Sequence, residues 1–203
     1  MAYKLLKKTQ PSRAAGSLAG SARQRILDAA IPLFYQQGAR AVGIDTIIAK
    51  SGVAKMSLYR SFRSKDELIA ACLNERDQMY WQWFDGVVAR HPGDPREQLR
   101  GIIRGVAKRT SKPGYRGCFF LNTATDYMEA SHPGRKVAVR HKQTLASRLL
   151  TICRQVKGLR DPAALSRQLV LLINGAQATA GMLGKKTQME LVRAADLLID
   201  GRS

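Results

Sequence analysis

The sequence predicts an all-α protein: an N-terminal three-helix head with a helix-turn-helix, then a six-helix body. Three observations lead there. Apolar residues recur at helical spacing almost end to end, while strand-like alternation is nearly absent. Helix-start signatures repeat along the chain. Ser21/Gln24, Ser64/Glu67 and Thr187/Glu190 read as capping boxes, and Asp94-Pro95 and Asp161-Pro162 set a capping carboxylate before a first-turn proline. Glycines stand where the helical patterns stop, at Gly38, Gly158 and Gly184.

The first helix is expected over 21–37. Ile26, Ala29, Ala30, Leu33 and Phe34 form one apolar face, and Pro32 should remove a backbone hydrogen bond and bend the helix. Short helices follow over 44–50 and 55–62, joined by Ser51-Gly52-Val53-Ala54, where glycine supplies unusual backbone angles. Two short helices on such a turn make a helix-turn-helix, with Val53 and Leu58 packed inward to fix the angle. A longer helix starts at Ser64 and carries Leu68, Ile69, Ala71 and Cys72 toward Trp81 and Phe84. The next runs from Pro95 to about residue 108, and 110–117 is a loop. Helices over 119–130, 133–158, 162–184 and 187–199 complete a set of nine. No internal repeat occurs. Residues 1–20, without periodicity, read as a flexible basic arm, so the expected division is arm 1–20, head 21–65 and body 66–203.

Charge narrows the partners. The 203 residues carry a formal net charge of +19. Residues 1–65 hold 12 basic and two acidic side chains, a net +10, whereas 66–203 hold 22 and 13, a net +9 over twice the length. Concentrated basic charge points to a polyanion, nucleic acid first and an anionic membrane surface second. No apolar run is long enough to span a bilayer. The N-terminus lacks the apolar stretch of a signal peptide, which sets a cytoplasmic expectation. Cys72, Cys118 and Cys153 form no CxxC pair and no disulfide framework.

The stretch from Arg23 to Leu73 carries a recognisable pattern: IL-x-AA-x-x-LF at 26–34, Gly38, Ile47 and Ala49, then SGVAK-x-SLYRSF-x-SK at 51–65. It resembles the DNA-binding head of the TetR/AcrR family of one-component transcriptional regulators. The resemblance implies a second helix that enters the major groove and presents Lys55, Met56, Ser57, Tyr59 and Arg60. Lys55 can reach a guanine edge or a phosphate, and Ser57 a base edge or backbone oxygen. Tyr59 and Lys65 are similar to the family's phosphate-binding tyrosine and lysine, and Arg40, Thr46 and Ser61 complete the expected DNA-facing set. Three positions depart from the family's habit. Gly43 stands where Ser or Thr usually caps, Met56 replaces a small residue, and Ser61 replaces a histidine. These changes leave the fold in place and alter the operator that is read.

In the body, Gly175, Ala178 and Gly181, with Met182, make a small-residue stretch that another helix can approach closely. The last helix is apolar on more than one face through Leu191, Val192, Ala194, Ala195, Leu197, Leu198 and Ile199, so a second side must be buried somewhere. The resemblance implies a four-helix seam with a second subunit, hence a homodimer. It also implies an effector site. Trp81, Phe84, Tyr115, Cys118, Phe119, Phe120 and Tyr127 offer apolar walls, with Asn122, Asn174 and Gln177 as neutral orienting groups. For any one of these residues ordinary core is the better single reading. The expected effector is a neutral or weakly anionic hydrophobic small molecule.

The sequence contains no HExxH, GxSxG, GxxxxGK[ST] or GxGxxG. His91, His132 and His141 have no metal-ligand spacing. Neither a cofactor, a metal nor an enzymatic activity is expected. The function expected is a repressor that leaves a pseudo-palindromic DNA duplex when its effector binds. The alternatives are a basic protein at an anionic membrane surface, against which the helix-turn-helix argues, and a helical small-molecule enzyme.

Overall fold

The computed structural model describes residues 20–201, with Lys185 described in its backbone only. The basic arm, Gly20 apart, therefore lies outside the described residues. Among these residues the secondary structure is nine α-helices and no strand, as expected: α1 (Ala22–Gln37), α2 (Ile44–Ser51), α3 (Lys55–Ser61), α4 (Lys65–Val88), α5 (Pro95–Thr110), α6 (Phe119–Asp126), α7 (Pro133–Cys153), α8 (Pro162–Leu183) and α9 (Lys185–Asp200). No helix among them is long and apolar enough to cross a membrane.

Side-chain caps start four of the nine helices where the sequence places them. Ser21, Ser64, Asp94 and Asp161 each accept from the backbone N–H three residues on, at 2.8–3.3 Å. The reciprocal halves of the capping boxes differ. The Gln24 amide turns instead to Asp28 and Glu75, and Glu67 accepts from the N–H of Arg63 rather than that of Ser64. The Thr187/Glu190 box does not open α9. That helix starts at Lys185, straight after Gly184 at φ +71°, so Thr187 lies inside its first turn. Two other ends are corrected. α6 stops at Asp126 rather than 130, and α7 at Cys153 rather than 158, with residues 154–158 in turns.

The chain divides into two compact units, each with its own core. Unit 1 comprises the described residues up to Arg76 together with Asn122–Ala138, so the unit that holds the helix-turn-helix reaches past residue 65. In it α1 packs on α2 and α3, over buried Ile26, Ala30, Phe34, Ile47, Leu58 and Phe62. Helices as short as α2 and α3 do not persist alone. Burying a large apolar side chain gains roughly 1.5–3 kcal/mol, and that burial holds them. Unit 2 comprises Asp77–Leu121 and the described residues from Val139 on. There α5 packs against α8 and α9 around Leu99, Ile102, Leu145, Leu169, Ile173 and Ala195.

Candidate functional site

The turn between α2 and α3 is built as its residue types require. Gly52 adopts φ +62° and ψ 28°, the left-handed conformation that costs glycine least. Val53 and Leu58 are buried, as the inward packing demands. A contact unforeseen in the sequence braces the turn. Arg25, on α1, donates through Nη2 to the carbonyl oxygens of Ser51 and Gly52, at 2.9 and 2.8 Å. These groups end α2, where helix carbonyls lose their internal partners.

The opposite side of α3 faces solvent. Met56 is 69% exposed and Tyr59 46%, unusual values for large apolar side chains, and Lys55 and Arg60 are exposed beside them. Lys55 pairs at 3.5 Å with Asp45 on α2, and both side chains are largely solvated. Such a pair is worth little and yields readily to another anion. Arg60 Nη2 lies 3.4 Å from Ser57 Oγ, and the Ser61 hydroxyl donates to the Ser57 carbonyl at 2.8 Å. Thr46 is exposed on α2. Lys65, at the start of α4, donates from Nζ to the Arg40 carbonyl at 3.0 Å. Partial burial holds the Lys65 ammonium below the usual lysine range, against the opposing pull of Asp66. Unit 1 thus holds every residue of the expected DNA-facing set.

The residues expected around an effector are not all in one unit. Asn122 and Tyr127 belong to unit 1. Tyr127 stacks on His132 at 3.9 Å with the Arg40 guanidinium 5.1 Å from its ring, and Asn122 is exposed. Trp81, Phe84, Tyr115, Cys118, Phe119, Phe120, Asn174 and Gln177 belong to unit 2. Phe84 is fully buried in the core there. Phe120 stacks flat on His141 at 3.7 Å. Asn174 and Gln177 are not neutral groups left open for a ligand: their amide oxygens accept from Lys142 Nζ at 2.8 and 3.0 Å.

His141 is 2% exposed. Its Nδ1 lies 2.7 Å from Asp77 Oδ1, which also accepts from Trp81 Nε1 at 2.8 Å. Burial pushes the imidazole down to about 4, outweighing the hydrogen bond to Asp77 that would raise it. His141 is therefore neutral near pH 7, and the tautomer that carries its proton on Nδ1 donates to Asp77. Burial also raises the Tyr80 hydroxyl to about 12 and lowers the Arg109 guanidinium.

The residues expected at a subunit seam fall into two groups. Gly175, Ala178, Gly181 and Met182 are exposed, and Leu198 is half-buried. Leu191 and Ala195 are corrected to core: they are 4% and 0% exposed within their own chain, where α9 lies on α5 and α8.

Comparison with known proteins follows the same lines. The family model described as bacterial regulatory proteins of the tetR family matches residues 26–72. The crystal structure of a TetR-family transcriptional regulator from Streptomyces coelicolor is 30% identical, with a TM-score of 0.84 over 89% of this chain and 95% of that one. The chain belongs to the TetR family. Two curated relatives are the HTH-type transcriptional regulators AcrR from Shigella flexneri, 32% identical over 88 residues, and SrpR from Pseudomonas putida, 37% identical over 65. Those matches cover 43% and 32% of this chain, and only 41% and 30% of the two regulators' own lengths.

As a TetR-family transcriptional regulator the chain carries a DNA-binding helix-turn-helix, formed by α2 and α3. Sequence reasoning missed Arg25, Asp77, Arg109 and His141. Arg25 and Arg109 are two among 34 lysines and arginines, and nothing in their spacing separates them from solvated charges. His141 sits on the buried side of α7, beside Ala138 and Leu145. That helical period was the one available sign that its ring faces inward.

Proposed function

We propose that this TetR-family regulator acts as a homodimeric repressor on a pseudo-palindromic DNA duplex and leaves it when a small effector binds unit 2. One observation carries the reading: the exposed face of α3, where Lys55, Met56, Tyr59 and Arg60 stand in solvent while Leu58 anchors the same helix below. A helix held from behind and presenting long polar side chains suits the major groove. Lys65 and Arg40 add charge beside it for the phosphates. The exposed stripe Leu171, Gly175, Ala178 and Met182, at helical spacing on α8, supports the second subunit. Two heads then read two half-sites. The effector acts only through its different affinity for two arrangements of the heads, so it weakens DNA binding by the same factor that DNA weakens its own.

The test is selection of duplexes from a random pool, followed by binding of the selected duplex at several salt concentrations. A pseudo-palindrome should emerge. Release of roughly 6–10 counterions should lower affinity on the order of 10³–10⁵-fold between about 50 and 200 mM salt. A flat salt response, or selection of no duplex sequence, would refute the reading.

A further inference from the structure

Arg109 leaves the last turn of α5 with its guanidinium 3.6 Å from the Trp83 ring centroid and 4.9 Å from that of Tyr80. Part of the side chain reaches solvent, but Nη2 is sealed from it and has no hydrogen-bond partner. The Tyr80 hydroxyl is in the same position. The titratable groups facing Arg109 include Tyr80, Tyr115, Cys118 and His141, none of them a carboxylate. Stacking on two rings offsets part of the cost of removing this cation from water, and the polar group set against the guanidinium is the neutral Tyr80 hydroxyl, which supplies no counter-charge.

The neighbouring charges do not help. Asp77 is engaged by His141 and Trp81. Lys142, a second cation of the same unit, is met by the neutral oxygens of Asn174 and Gln177. Asp85 pairs with Arg148, and Glu97, Asp196 and Asp200 pair with Arg100. Arginine stays protonated in proteins, so the unbalanced charge persists. Buried cations are ordinarily paired, and one left without a counter-charge beside a second unused donor is the arrangement that an anionic ligand completes.

We propose that Arg109 and Tyr80 form an anion-reading pair within unit 2 that takes the carboxylate of a hydrophobic acid. The proposal rests on the effector reading and names the effector's chemical class. One carboxylate oxygen accepts from Arg109 Nη2 and the other from the Tyr80 hydroxyl. The rings of Trp83 and Tyr80 supply the apolar surroundings. A neutral amide of the same shape carries one acceptor and no charge, and a cation would add to the excess.

Thermal unfolding of the full chain, without DNA, tests this. The probes are benzoate, 2-naphthoate, octanoate and decanoate, each against its neutral amide. At least one acid should raise Tm by several degrees in a concentration-dependent way, with its amide ineffective. Arg109→Met should abolish that shift, and Tyr80→Phe should reduce it. Without ligand, Arg109→Met should melt at or above the wild-type temperature, because it removes an unpaired buried charge. If Arg109 only holds Trp83 in place, the same variant melts lower. The proposal is overturned by that lower melting, by acids and amides acting alike, by no acid acting, or by a shift that survives Arg109→Met. Duplex binding by the same preparations separates the two readings. Intact DNA binding without an acid-specific shift defeats this inference alone. An Arg109-dependent shift without duplex binding defeats the regulatory reading alone.

Discussion

Arg25 Nη2 donates to the Gly52 carbonyl oxygen at 2.8 Å, tying the first helix of the head to the turn of the helix-turn-helix. A Cβ placed on Gly52 would meet that same Nη2 at 3.0 Å, in a backbone conformation with φ +62°. The two residues therefore act together. Arg25→Ala should lower stability by about 1 kcal/mol, discounting a charged hydrogen bond for its exposure. Gly52→Ala should cost about 1–2 kcal/mol for the left-handed backbone and the displaced guanidinium. Because part of the second loss is the first, the double variant should lose less than the sum. Urea denaturation of all four proteins measures this, and strict additivity would show that the brace does not exist.

On the proposed duplex, Lys65 and Lys55 should behave differently. Lys65 is held at the start of α4 by the Arg40 carbonyl, beside the groove-facing helix rather than on it. Lys65→Ala should weaken all duplexes by a similar factor and reduce the salt slope by about one. Lys55→Ala should in addition narrow the gap between selected and scrambled sequences. Binding isotherms on both duplexes at several salt concentrations decide. Equal loss of discrimination in both variants would mean that neither lysine works through phosphate alone.

The features legible in the sequence were those set by residues close along the chain. Ser21, Asp94 and Asp161 cap as read, because a cap needs only its own side chain and the N–H three residues on. Gly52 is left-handed because the four-residue turn forces it. Gln24 escaped the local rule because Glu75, 51 positions away, offers its amide a partner. On α9 apolar residues run over more than one face, and nothing local says that α5 and α8 cover the one that holds Leu191 and Ala195. Asn174 and Gln177 looked like neutral ligand groups until Lys142 was placed against them. The buried arginine was hidden among surface arginines of identical local pattern.

The exposed stripe on α8 makes the assembly testable. Leu171 is 70% and Met182 75% exposed, with Gly175 and Ala178 between them. In the proposed dimer that stripe meets its two-fold mate, and Ala178→Arg inserts a charge where the seam is narrowest. The expected result is a monomer in sedimentation at micromolar concentration, since burying an unpaired charge costs several kcal/mol. Ala178 faces solvent within its own chain, so the isolated fold should keep its helical content. A wild-type monomer, or an unchanged dimer in the variant, contradicts the seam.

His141 should make the fold sensitive to acid in a direction that separates two pictures of its contact with Asp77. In the first, burial dominates. The folded-state imidazole titrates at about 4, below its ordinary value of 6.5. Between those values the unfolded chain binds a proton that the folded chain does not. The stabilising contribution is then fully present above about pH 6.5 and is lost as pH falls toward 4, on the order of 3 kcal/mol in all. In the second picture the Asp77 carboxylate dominates, His141 is protonated in the fold, and its contribution grows as pH falls through 6.5. His141→Gln removes the titration while keeping an N–H for Asp77. Urea unfolding of wild type and variant at about pH 7, 6 and 5 gives the difference directly. The wild-type advantage should shrink on acidification. An advantage that grows instead would mean that the ion pair outweighs burial of the ring beneath Phe120, which stacks on it at 3.7 Å.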